Sequence, residues 1–383
     1  MSMINVLLTS DSVIKKEAVE NYFNKTYPKI KFSLILINCD ACGLPPQPVE
    51  CGKFCCYERT KYALEHSQQQ YDIVISIEND LVYFLGRYID RAHARITCYD
   101  IVGTGLSNFI DCPVTQKQID NFSECTYSEK IRGYSGTAGQ ILYETFGWNS
   151  KNWMLESEGI DRKTQIAEAL DDAFKNLLCN ISNCFSVCQN YKSYPDFPKS
   201  GVTFKYFYSL FVSGNMKKIA ELLETKYEAH NIDAIFPLES RGLVIGSVLA
   251  DRLETTMIPL QKPCKIPGKS ISMPYQKEYG SDEIQISIDV VEMFLEKNKK
   301  SFYKFLIVDD LIATGGTIKA GLILLEKLAI QYGFKYEVEI LSLDEVQPLK
   351  TIAEEKISQD YFVLFRNINT AYKILQLLNT DTQ

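Results

Sequence analysis

Hydrophobic positions in the first half of the chain repeat with two different periods, which predict strands and helices in alternation. Short apolar runs predict strands at 4–9, 32–38 and 71–77. Apolar residues at helical spacing predict helices at 13–23, 57–69 and 161–178. Strands that alternate with helices are typical of an α/β domain, in which helices cover the faces of a sheet.

The second half of the chain repeats this alternation. Strands are predicted at 232–237, 256–260, 305–309 and 338–343, and helices at 215–230, 242–253 and 315–332. The segment 262–281 separates two of these strands and is rich in Lys, Gly and Pro. Because a loop of this length between core strands is usually functional, we predict that it forms a mobile lid.

The length of the chain predicts two domains, since 383 residues exceed what one hydrophobic core usually supports. The boundary is expected within 178–194, where a short helix precedes Tyr194-Pro-Asp-Phe-Pro198, a segment that breaks regular structure. We therefore expect one α/β domain at 1–178 and a second α/β domain at 185–383.

Composition and charge exclude several classes of function. The hydrophobic content of 46% and the charged content of 23% are those of a soluble globular protein. A net charge of -7 argues against a general nucleic-acid-binding protein, since such proteins are usually basic. No apolar run is long enough to span a membrane, and the N-terminus lacks the pattern of a signal peptide. We therefore expect a cytoplasmic protein without membrane or nucleic-acid partners.

The chain contains 12 cysteines, most of them before Thr126. Cys39 and Cys42 have the spacing of metal ligands, but no second well-spaced pair follows, because Cys55 and Cys56 are adjacent. In a reducing compartment we expect free thiols that behave as small, mostly buried hydrophobic residues. A structural zinc site is the minor alternative.

The strongest chemical signal is the segment 305–317, which has the sequence Phe-Leu-Ile-Val-Asp-Asp-Leu-Ile-Ala-Thr-Gly-Gly-Thr. It predicts a buried strand, a turn and the start of a helix. Gly315 and Gly316 allow the backbone to approach a phosphate closely, and the free N–H groups of a helix N-terminus bind such an anion. The hydroxyls of Thr314 and Thr317 add further donors.

Two carboxylates, Asp309 and Asp310, stand at the end of the same predicted strand, where ligands bind in open α/β sheets. They would repel a phosphate, but they suit the vicinal hydroxyls of a sugar and, through these, Mg²⁺. A Walker A loop is excluded, because no Gly-Lys-Ser/Thr follows. The pattern therefore indicates a site for a ribose 5-phosphate.

This segment resembles the 5-phosphoribosyl 1-pyrophosphate (PRPP) motif of the type I phosphoribosyltransferases. The resemblance extends over 194–365 and is to the adenine phosphoribosyltransferases in particular. The further motifs occur in the family's order, with the base-site opening at 196–204, the pyrophosphate loop at 238–243 and lid segments at 262–268 and 275–280. The resemblance implies a parallel sheet flanked by helices, with a small hood and a mobile lid.

The resemblance also implies a reaction and a set of site residues. Adenine N9 would attack C1 of PRPP, giving AMP and pyrophosphate, with Mg²⁺ as the cofactor, in a homodimeric purine-salvage enzyme. The catalytic residues would be Arg241, at the pyrophosphate, and Glu278, at a proton of the purine. The PRPP-binding residues would be Asp309, Asp310, Ala313, Thr314, Gly315, Gly316, Thr317, Glu239, Ser240, Lys262, Lys265 and Tyr279. The base-binding residues would be Phe197, Val202, Thr203 and Lys205.

Two segments depart from the family's pattern. Gln261 occupies the position of an arginine in the first lid segment, and Lys205-Tyr206 stands where Arg-Asp is usual. The first change is expected to weaken pyrophosphate binding, and the second to alter the edge of the base pocket. The resemblance further implies a cis peptide bond at Glu239–Ser240. Hypoxanthine or guanine as the substrate, and a PRPP-sensing regulator without catalysis, are the alternatives.

The first half contains weaker signals. Glu78 and Asp80 follow the predicted strand 71–77, at a place where a magnesium-bound phosphate could bind. Lys15 lies one turn into the first predicted helix. On these residues alone, an acidic surface turn and a capped helix are the simpler interpretation.

The motifs of the first half resemble the inosine/xanthosine triphosphatases, a family of purine NTPases with a mixed sheet. They lie at 10–19, 43–48, 58–59, 72–78 and 159–164. The resemblance implies that Lys15 and Arg59 bind phosphates and that Glu78 binds Mg²⁺, so that water attacks a purine nucleoside triphosphate. Asn79-Asp80 replaces the small residues expected after Glu78. An active hydrolase and an inactive domain therefore both remain open.

Overall fold

The computed structural model of the chain describes residues 3–197, 200–201, 203–212, 214–276, 281–346 and 349–379. The packing of these residues divides the chain into two compact units. Unit 1 comprises the chain up to Ser182 and the segment from Asn369 on, and unit 2 comprises Asn183–Ile368. The division of the chain into functional domains at 1–178 and 185–383 stays a prediction.

Unit 1 contains two sheets and helices of different lengths. Its strands are β1 (Ile4–Leu8), β2 (Phe32–Leu36), β3 (Gln47–Pro48), β4 (Ile73–Phe84), β5 (Arg87–Cys98), β6 (Ile101–Leu106), β7 (Ile110–Cys112), β8 (Glu124–Ser128) and β9 (Ile131–Tyr134). Its helices are α1 (Val13–Thr26), α2 (Gly52–His66), α3 (Gln116–Ile119), α4 (Ala138–Phe146), α5 (Trp153–Glu158) and, as far as Ser182, α6 (Arg162–Gln189).

The larger sheet of unit 1 is mixed. Its strand order is β2-β1-β4-β5-β6, with β7 beside β5. β1 is parallel to β2 and β4, whereas β5 is antiparallel to β4, β6 and β7. The smaller sheet has the order β3-β9-β8.

The hairpin of β4 and β5 corrects the prediction made for 71–77. The strand does not end at Ile77 but continues to Phe84, and it pairs with β5 along its whole length. Glu78 and Asp80 therefore lie within a paired strand and not at its carboxyl end. The prediction was wrong because polar residues usually mark the end of a strand, and here Glu78 and Asp80 are buried in ion pairs with distant residues.

The helix α6 replaces the two helices expected around residue 178. It runs without a break from Arg162 to Gln189. No Gly or Pro interrupts the sequence there, and Ile181, Cys184 and Val187 continue the buried stripe at a spacing of three residues. Helical periodicity therefore extends across the expected boundary.

Unit 2 contains the second α/β arrangement. Its strands are β10 (Ser193–Tyr194), β11 (Phe204–Lys205), β12 (Ala234–Pro237), β13 (Thr256–Met257), β14 (Ser270–Gln276), β15 (Ser281–Ser287), β16 (Phe302–Ile312), β17 (Lys335–Glu345) and β18 (Phe362–Val363). Its helices are α7 (Ser209–Val212), α8 (Asn215–Tyr227), α9 (Gly242–Arg252), α10 (Ile288–Asn298), α11 (Gly316–Tyr332) and α12 (Lys350–Ile357). The last helix of the chain is α13 (Ile368–Asn379).

The central sheet of unit 2 is parallel, with the strand order β13-β12-β16-β17-β18. The α/β fold with a parallel sheet expected for this half is thus confirmed. Its core is aromatic, with Phe236, Tyr303 and Phe305 packed together and almost fully buried. Because parallel strands share one direction, the carboxyl ends of β12, β16 and β17 meet at one edge of the sheet.

The predicted loop 262–281 is partly a strand. β14 occupies Ser270–Gln276 and pairs with β15 in an antiparallel ribbon. Tyr275 is buried in the core of unit 2, and Ile271 and Met273 pack against that core. These alternating apolar positions are the signal for a strand, which the Lys, Gly and Pro residues of the same segment obscured.

The helix α13 packs with unit 1, although it follows unit 2 in the chain. Its buried side chains beyond Ile368 are Ala371, Ile374, Leu375 and Leu378. An amphipathic helix does not show in its sequence which core it covers. For the helices that the described residues form, none is both long and apolar enough to cross a membrane.

The cysteines are unpaired in the structure. The buried ones are Cys39, Cys51, Cys55, Cys56, Cys98, Cys112 and Cys184. Among the described residues, no group of three or more His, Cys, Asp or Glu side chains is placed to hold a metal ion.

Candidate active site

Asp309 and Asp310 lie near the carboxyl end of β16, which continues to Ile312, beyond the predicted strand 305–309. The carboxylate of Asp310 is buried, and its backbone N–H donates to Oδ1 of Asp309 at 2.9 Å. Burial raises the pKa of both carboxyl groups, and the charge of Asp310 raises that of Asp309 further, whereas Arg241 opposes the shift of both. Two carboxyl groups in such a place favour a ligand that offers hydroxyls or positive charge.

The turn after β16 has the geometry of a phosphate-binding loop. Ala313 and Thr314 lead to Gly315, whose φ of 73° is left-handed and which caps α11. No described side chain caps this helix, so its first N–H groups are left for another acceptor. α11 begins at Gly316, followed by the half-buried Thr317. The predicted phosphate loop is therefore assembled at the N-terminus of a helix, where an anion binds favourably.

The pyrophosphate loop follows β12 at the same edge of the sheet. The Glu239–Ser240 peptide bond is cis, as the resemblance implied. Nη1 of Arg241 lies 3.1 Å from Oδ2 of Asp310. A Cβ on Gly242 would lie only 2.5 Å from the carbonyl oxygen of Val308. This close approach brings the start of α9 against β16 and places a fixed cation beside the two aspartates.

The predicted base-site residues lie in 197–205, which we call the base loop. This segment follows β10 and includes β11, its partner in a hairpin. The ring of Phe197, which is 52% exposed, packs edge-on against Phe204 with a centroid distance of 5.1 Å. The guanidinium of Arg241 lies 5.8 Å from the centroid of the Phe204 ring. Thr203 is exposed, and Val202 lies outside the described residues. An aromatic surface therefore lies next to the pyrophosphate loop.

The lid begins with a contact to the pyrophosphate loop. The backbone N–H of Lys262 donates to Oε2 of Glu239 at 2.8 Å, and its Nζ lies 3.7 Å from Oδ2 of Asp282. Lys265 is exposed. Two predicted lid residues, Glu278 and Tyr279, lie outside the described residues. The backbone of Lys262 thus lies at the pyrophosphate loop, and the roles of all four residues stay predictions.

Sequence reasoning missed two residues in this region, Tyr191 and Asp344. Oδ2 of Asp344 lies 2.5 Å from Nζ of Lys205, which lies 5.6 Å from the centroid of the Tyr191 ring. The Tyr191 hydroxyl is buried and has no hydrogen-bond partner among the described residues. Burial raises the pKa of Asp344, and the charge of Lys205 opposes that shift. No local pattern identifies either residue, since both meet Lys205 only through the fold.

In unit 1, the predicted residues Lys15, Arg59 and Glu78 come together. Nζ of Lys15 lies 3.5 Å from Oε1 of Glu78, and Nε of Arg59 contacts the same oxygen. Although burial opposes ionisation, the two cations hold the pKa of Glu78 below its ordinary value. Burial lowers the pKa of Lys15. We call these three side chains the charge cluster of unit 1.

The charge cluster lines a cavity of about 910 Å³. Further polar side chains around it include Asp11, Gln140, Lys151 and Arg162. A cavity of this volume is large enough for a nucleotide. The residues that the resemblance assigned to phosphate and metal therefore share one open space.

Asp80, the other acid singled out in this half, is committed to internal contacts. Its carboxylate accepts from the N–H of Gly52 and from Nε of Arg91, each at 2.9 Å, and lies 3.0 Å from Nε2 of His93. The side chain is fully buried. Asp80 therefore serves the packing of the β4–β5 hairpin.

The family model described as "Phosphoribosyl transferase domain" matches residues 212–362. The adenine phosphoribosyltransferase of Campylobacter fetus is 44% identical over 138 residues, which cover 35% of this chain and 71% of that protein. That of Halothermothrix orenii is 39% identical over 148 residues, covering 38% of this chain and 82% of that protein. The solved adenine phosphoribosyltransferase of Saccharomyces cerevisiae is 31% identical with a TM-score of 0.40, and covers 48% of this chain and 98% of that chain. Because the sequence relatives are matched over more than two thirds of their own length, the chain belongs to the adenine phosphoribosyltransferase family.

Proposed function

We propose that unit 2 transfers the phosphoribosyl group of PRPP to adenine, giving AMP and pyrophosphate. The observation that carries this proposal is the ion pair of Arg241 with the buried Asp310, beside the helix N-terminus at Gly315–Gly316. A cation for the pyrophosphate, carboxylates for the ribose hydroxyls and free N–H groups for the 5-phosphate are thereby collected at one edge of the sheet. The names of the relatives support adenine as the acceptor.

The residues of the chain act by binding and orientation. Asp309 and Asp310 accept hydrogen bonds from the ribose hydroxyls, and the turn up to Thr317 holds the 5-phosphate. Arg241 and Lys262 bind the pyrophosphate as it leaves C1, where negative charge develops. The new bond forms between C1 and N9 of the base. Closure of the lid excludes water, which would otherwise hydrolyse the activated sugar.

The two aspartates fit Mg²⁺ brought with PRPP. Mg²⁺ usually takes one or two carboxylates and completes its ligands with phosphate oxygens and water. Asp309 and Asp310 would reach this ion through the ribose hydroxyls that they bind, and the cost of burying their charge favours a cation near them. When bound, Mg²⁺ supplies charge stabilisation for the leaving pyrophosphate.

The resemblance alone implies that Glu278, a predicted lid residue, acts on a proton of the purine. Glu278→Ala is expected to lower kcat while leaving the Kd of PRPP largely unchanged, because the PRPP contacts come from other residues. Steady-state kinetics and calorimetry measure the two quantities. Glu296→Ala, an exposed glutamate on α10, is the control and should change neither. Loss of PRPP binding in Glu278→Ala would count against this role.

Release of pyrophosphate with each purine in turn tests the proposal. Purified protein with Mg²⁺ and PRPP should release pyrophosphate with adenine, and much less with hypoxanthine or guanine. A kcat/KM that is higher for hypoxanthine or guanine than for adenine would identify that base as the substrate instead. A protein that binds PRPP but consumes no purine would instead be a PRPP-sensing regulator. Light scattering tests the homodimer, which the resemblance implies.

For unit 1, we propose that the cavity at the charge cluster binds a purine nucleoside triphosphate. Lys15 and Arg59 would bind its phosphates, and Glu78 would hold Mg²⁺ together with phosphate oxygens. The support is the convergence of these three side chains at a cavity of nucleotide size. Phosphate release from ITP or XTP by the full chain, compared with Glu78→Ala, tests hydrolysis. Binding without phosphate release would identify an inactive nucleotide-binding domain.

A further inference from the structure

The hairpin of β10 and β11 carries the base loop but has little structure of its own. It comprises the pairs Ser193↔Lys205 and Tyr194↔Phe204 and, among the described strands, it joins no other sheet. A two-stranded ribbon of this length is not stable by itself. The position of the base loop therefore depends on side-chain contacts that leave the hairpin.

Lys205 makes such a contact with Asp344. The pair is close, at 2.5 Å, and the Asp344 side chain is only 9% exposed, against 29% for Lys205. Within the described part of the chain, Lys205 is the one cation at ion-pair distance from this carboxylate. An ion pair that is shielded from water is screened less, and so holds its partners more firmly, than an exposed one.

Asp344 is itself held in the parallel sheet. It lies in β17 opposite Leu311 of β16, so it is one strand away from the ribose carboxylates. Its Oδ1 accepts from the N–H of Glu345 at 2.9 Å. Glu345 is buried and binds Arg366 through two hydrogen bonds of 2.6 and 2.9 Å. Asp344 thus offers a fixed point at the edge of the sheet where PRPP is proposed to bind.

Tyr191 supports the same lysine from another side. Its ring is 4% exposed and packs edge-on against Phe365, with the centroids 5.9 Å apart. Nζ of Lys205 lies 5.6 Å from the centroid of the Tyr191 ring, within range of a cation–π interaction. The ammonium group of Lys205 is therefore held between a carboxylate and an aromatic ring.

We propose that Asp344 is a positioning residue for the purine, which acts by holding Lys205 and thereby setting the backbone of 203–205 against the base. The inference rests on the proposed function, because it assumes that this loop binds the purine. Asp344 itself touches no reacting atom. Its loss should therefore weaken purine binding more than PRPP binding, since the PRPP contacts come from β16, α9 and α11.

Steady-state kinetics of Asp344→Asn in the full chain tests this inference. The KM for adenine at saturating PRPP should rise about tenfold, because the ion pair that holds Lys205 is lost. The KM for PRPP should stay within about twofold, as no PRPP contact is removed. Asp344→Glu, which keeps the charge, should restore most of the adenine KM. The matched control is Asp233→Asn, which removes a carboxylate that pairs with Lys300 at 3.0 Å before β12, at the other end of the sheet.

Two results would overturn the inference. One is an equal rise of the KM for adenine and the KM for PRPP in Asp344→Asn. The other is a rise of the adenine KM in Asp344→Asn that is no larger than in Asp233→Asn, when both variants lose the same thermal stability. If Asp344→Asn does not fold, Lys205→Met should raise the adenine KM and Lys205→Arg should preserve it, and an unchanged KM in Lys205→Met would contradict the inference. A wild-type protein that forms no AMP from adenine would reject the proposed function itself.

Discussion

At the scale of single residues, the candidate active site places a cation beside a buried carboxylate. Arg241 and Asp310 are 3.1 Å apart, and the Asp310 side chain is only 3% exposed. Arg241→Lys keeps the charge but removes the planar fork that we propose binds pyrophosphate through two oxygens. We expect kcat/KM for PRPP to fall about a hundredfold, or ~2.7 kcal/mol of transition-state stabilisation.

A matched control for Arg241→Lys lies on the same helix. Arg252, at the other end of α9, pairs with Glu224 at 3.1 Å, and both side chains are partly exposed. Arg252→Lys should leave kcat/KM for PRPP within about twofold, since exposed pairs contribute little. Equal kinetic losses in the two variants would show that Arg241 matters for the fold of α9 and not for pyrophosphate.

Asp80 illustrates a carboxylate that serves stability. Although burial alone would raise its pKa, the hydrogen bonds from His93 and Arg91 lower it. Because its pKa is depressed in the folded state, the ionised carboxylate stabilises the fold at any pH above its ordinary pKa of about 3.9. This contribution is lost as the pH falls through the depressed pKa of the folded state. Unit 1 should therefore lose stability in acid.

Asp80→Asn should lower the free energy of unfolding of unit 1 at neutral pH by about 3–5 kcal/mol, because it leaves buried donors with a weaker partner. It should also remove part of the acid dependence. Both tryptophans of the chain, Trp148 and Trp153, lie in unit 1, so urea unfolding followed by their fluorescence reports on this unit. Identical acid dependence in the wild type and the variant would refute the assignment.

At the scale of elements, unit 2 positions its site through close backbone approach. A Cβ on Gly242 would lie 2.5 Å from the carbonyl oxygen of Val308, so α9 can start where it does only with glycine at this position. Gly242→Ala should push α9 from β16 and lengthen the Arg241–Asp310 contact. We expect the KM for PRPP to rise at least about tenfold, which corresponds to ~1.4 kcal/mol.

The control for Gly242→Ala is a glycine with free space around it. Gly333 ends α11 with a φ of 70°, and a Cβ there would meet nothing within 4 Å. Gly333→Ala should reduce stability by about 1 kcal/mol through backbone strain, and leave the KM for PRPP unchanged. If both variants raise this KM equally, general loss of stability would explain the effect.

At the scale of the whole molecule, the chain returns to unit 1 after completing unit 2. The helix α13 buries Ala371, Ile374, Leu375 and Leu378. In a chain that ends at Ile368, the free energy of unfolding of unit 1 should fall by several kcal/mol, because each buried Ile or Leu side chain contributes about 1.5–3 kcal/mol. Tryptophan fluorescence should show earlier unfolding in urea, while AMP formation by unit 2 persists. Loss of AMP formation with unchanged tryptophan unfolding would contradict the assignment of α13.

The predictability of each site residue follows from how far along the chain its partners lie. The strand, turn and helix of 305–317 were predicted from sequence because β16, Gly315, Gly316 and α11 are neighbours in the chain. The end of β4 was misplaced because the burial of Glu78 and Asp80 depends on α1, α2 and β5. The β14 strand was missed because the Lys, Gly and Pro residues around it obscured the alternation of Ile271, Met273 and Tyr275.

The sequence by itself determined the local chemistry of this protein: a strand, two carboxylates, a glycine turn and a helix in 305–317. Backbone hydrogen bonding and side-chain period depend on neighbouring residues, so a short segment specifies them. Only the tertiary structure decided that Arg241 meets Asp310, that Lys205 meets Asp344 and that α13 belongs to unit 1. Such contacts depend on how complete cores pack, and side chains far apart in the chain meet only when the sheet and its helices are assembled.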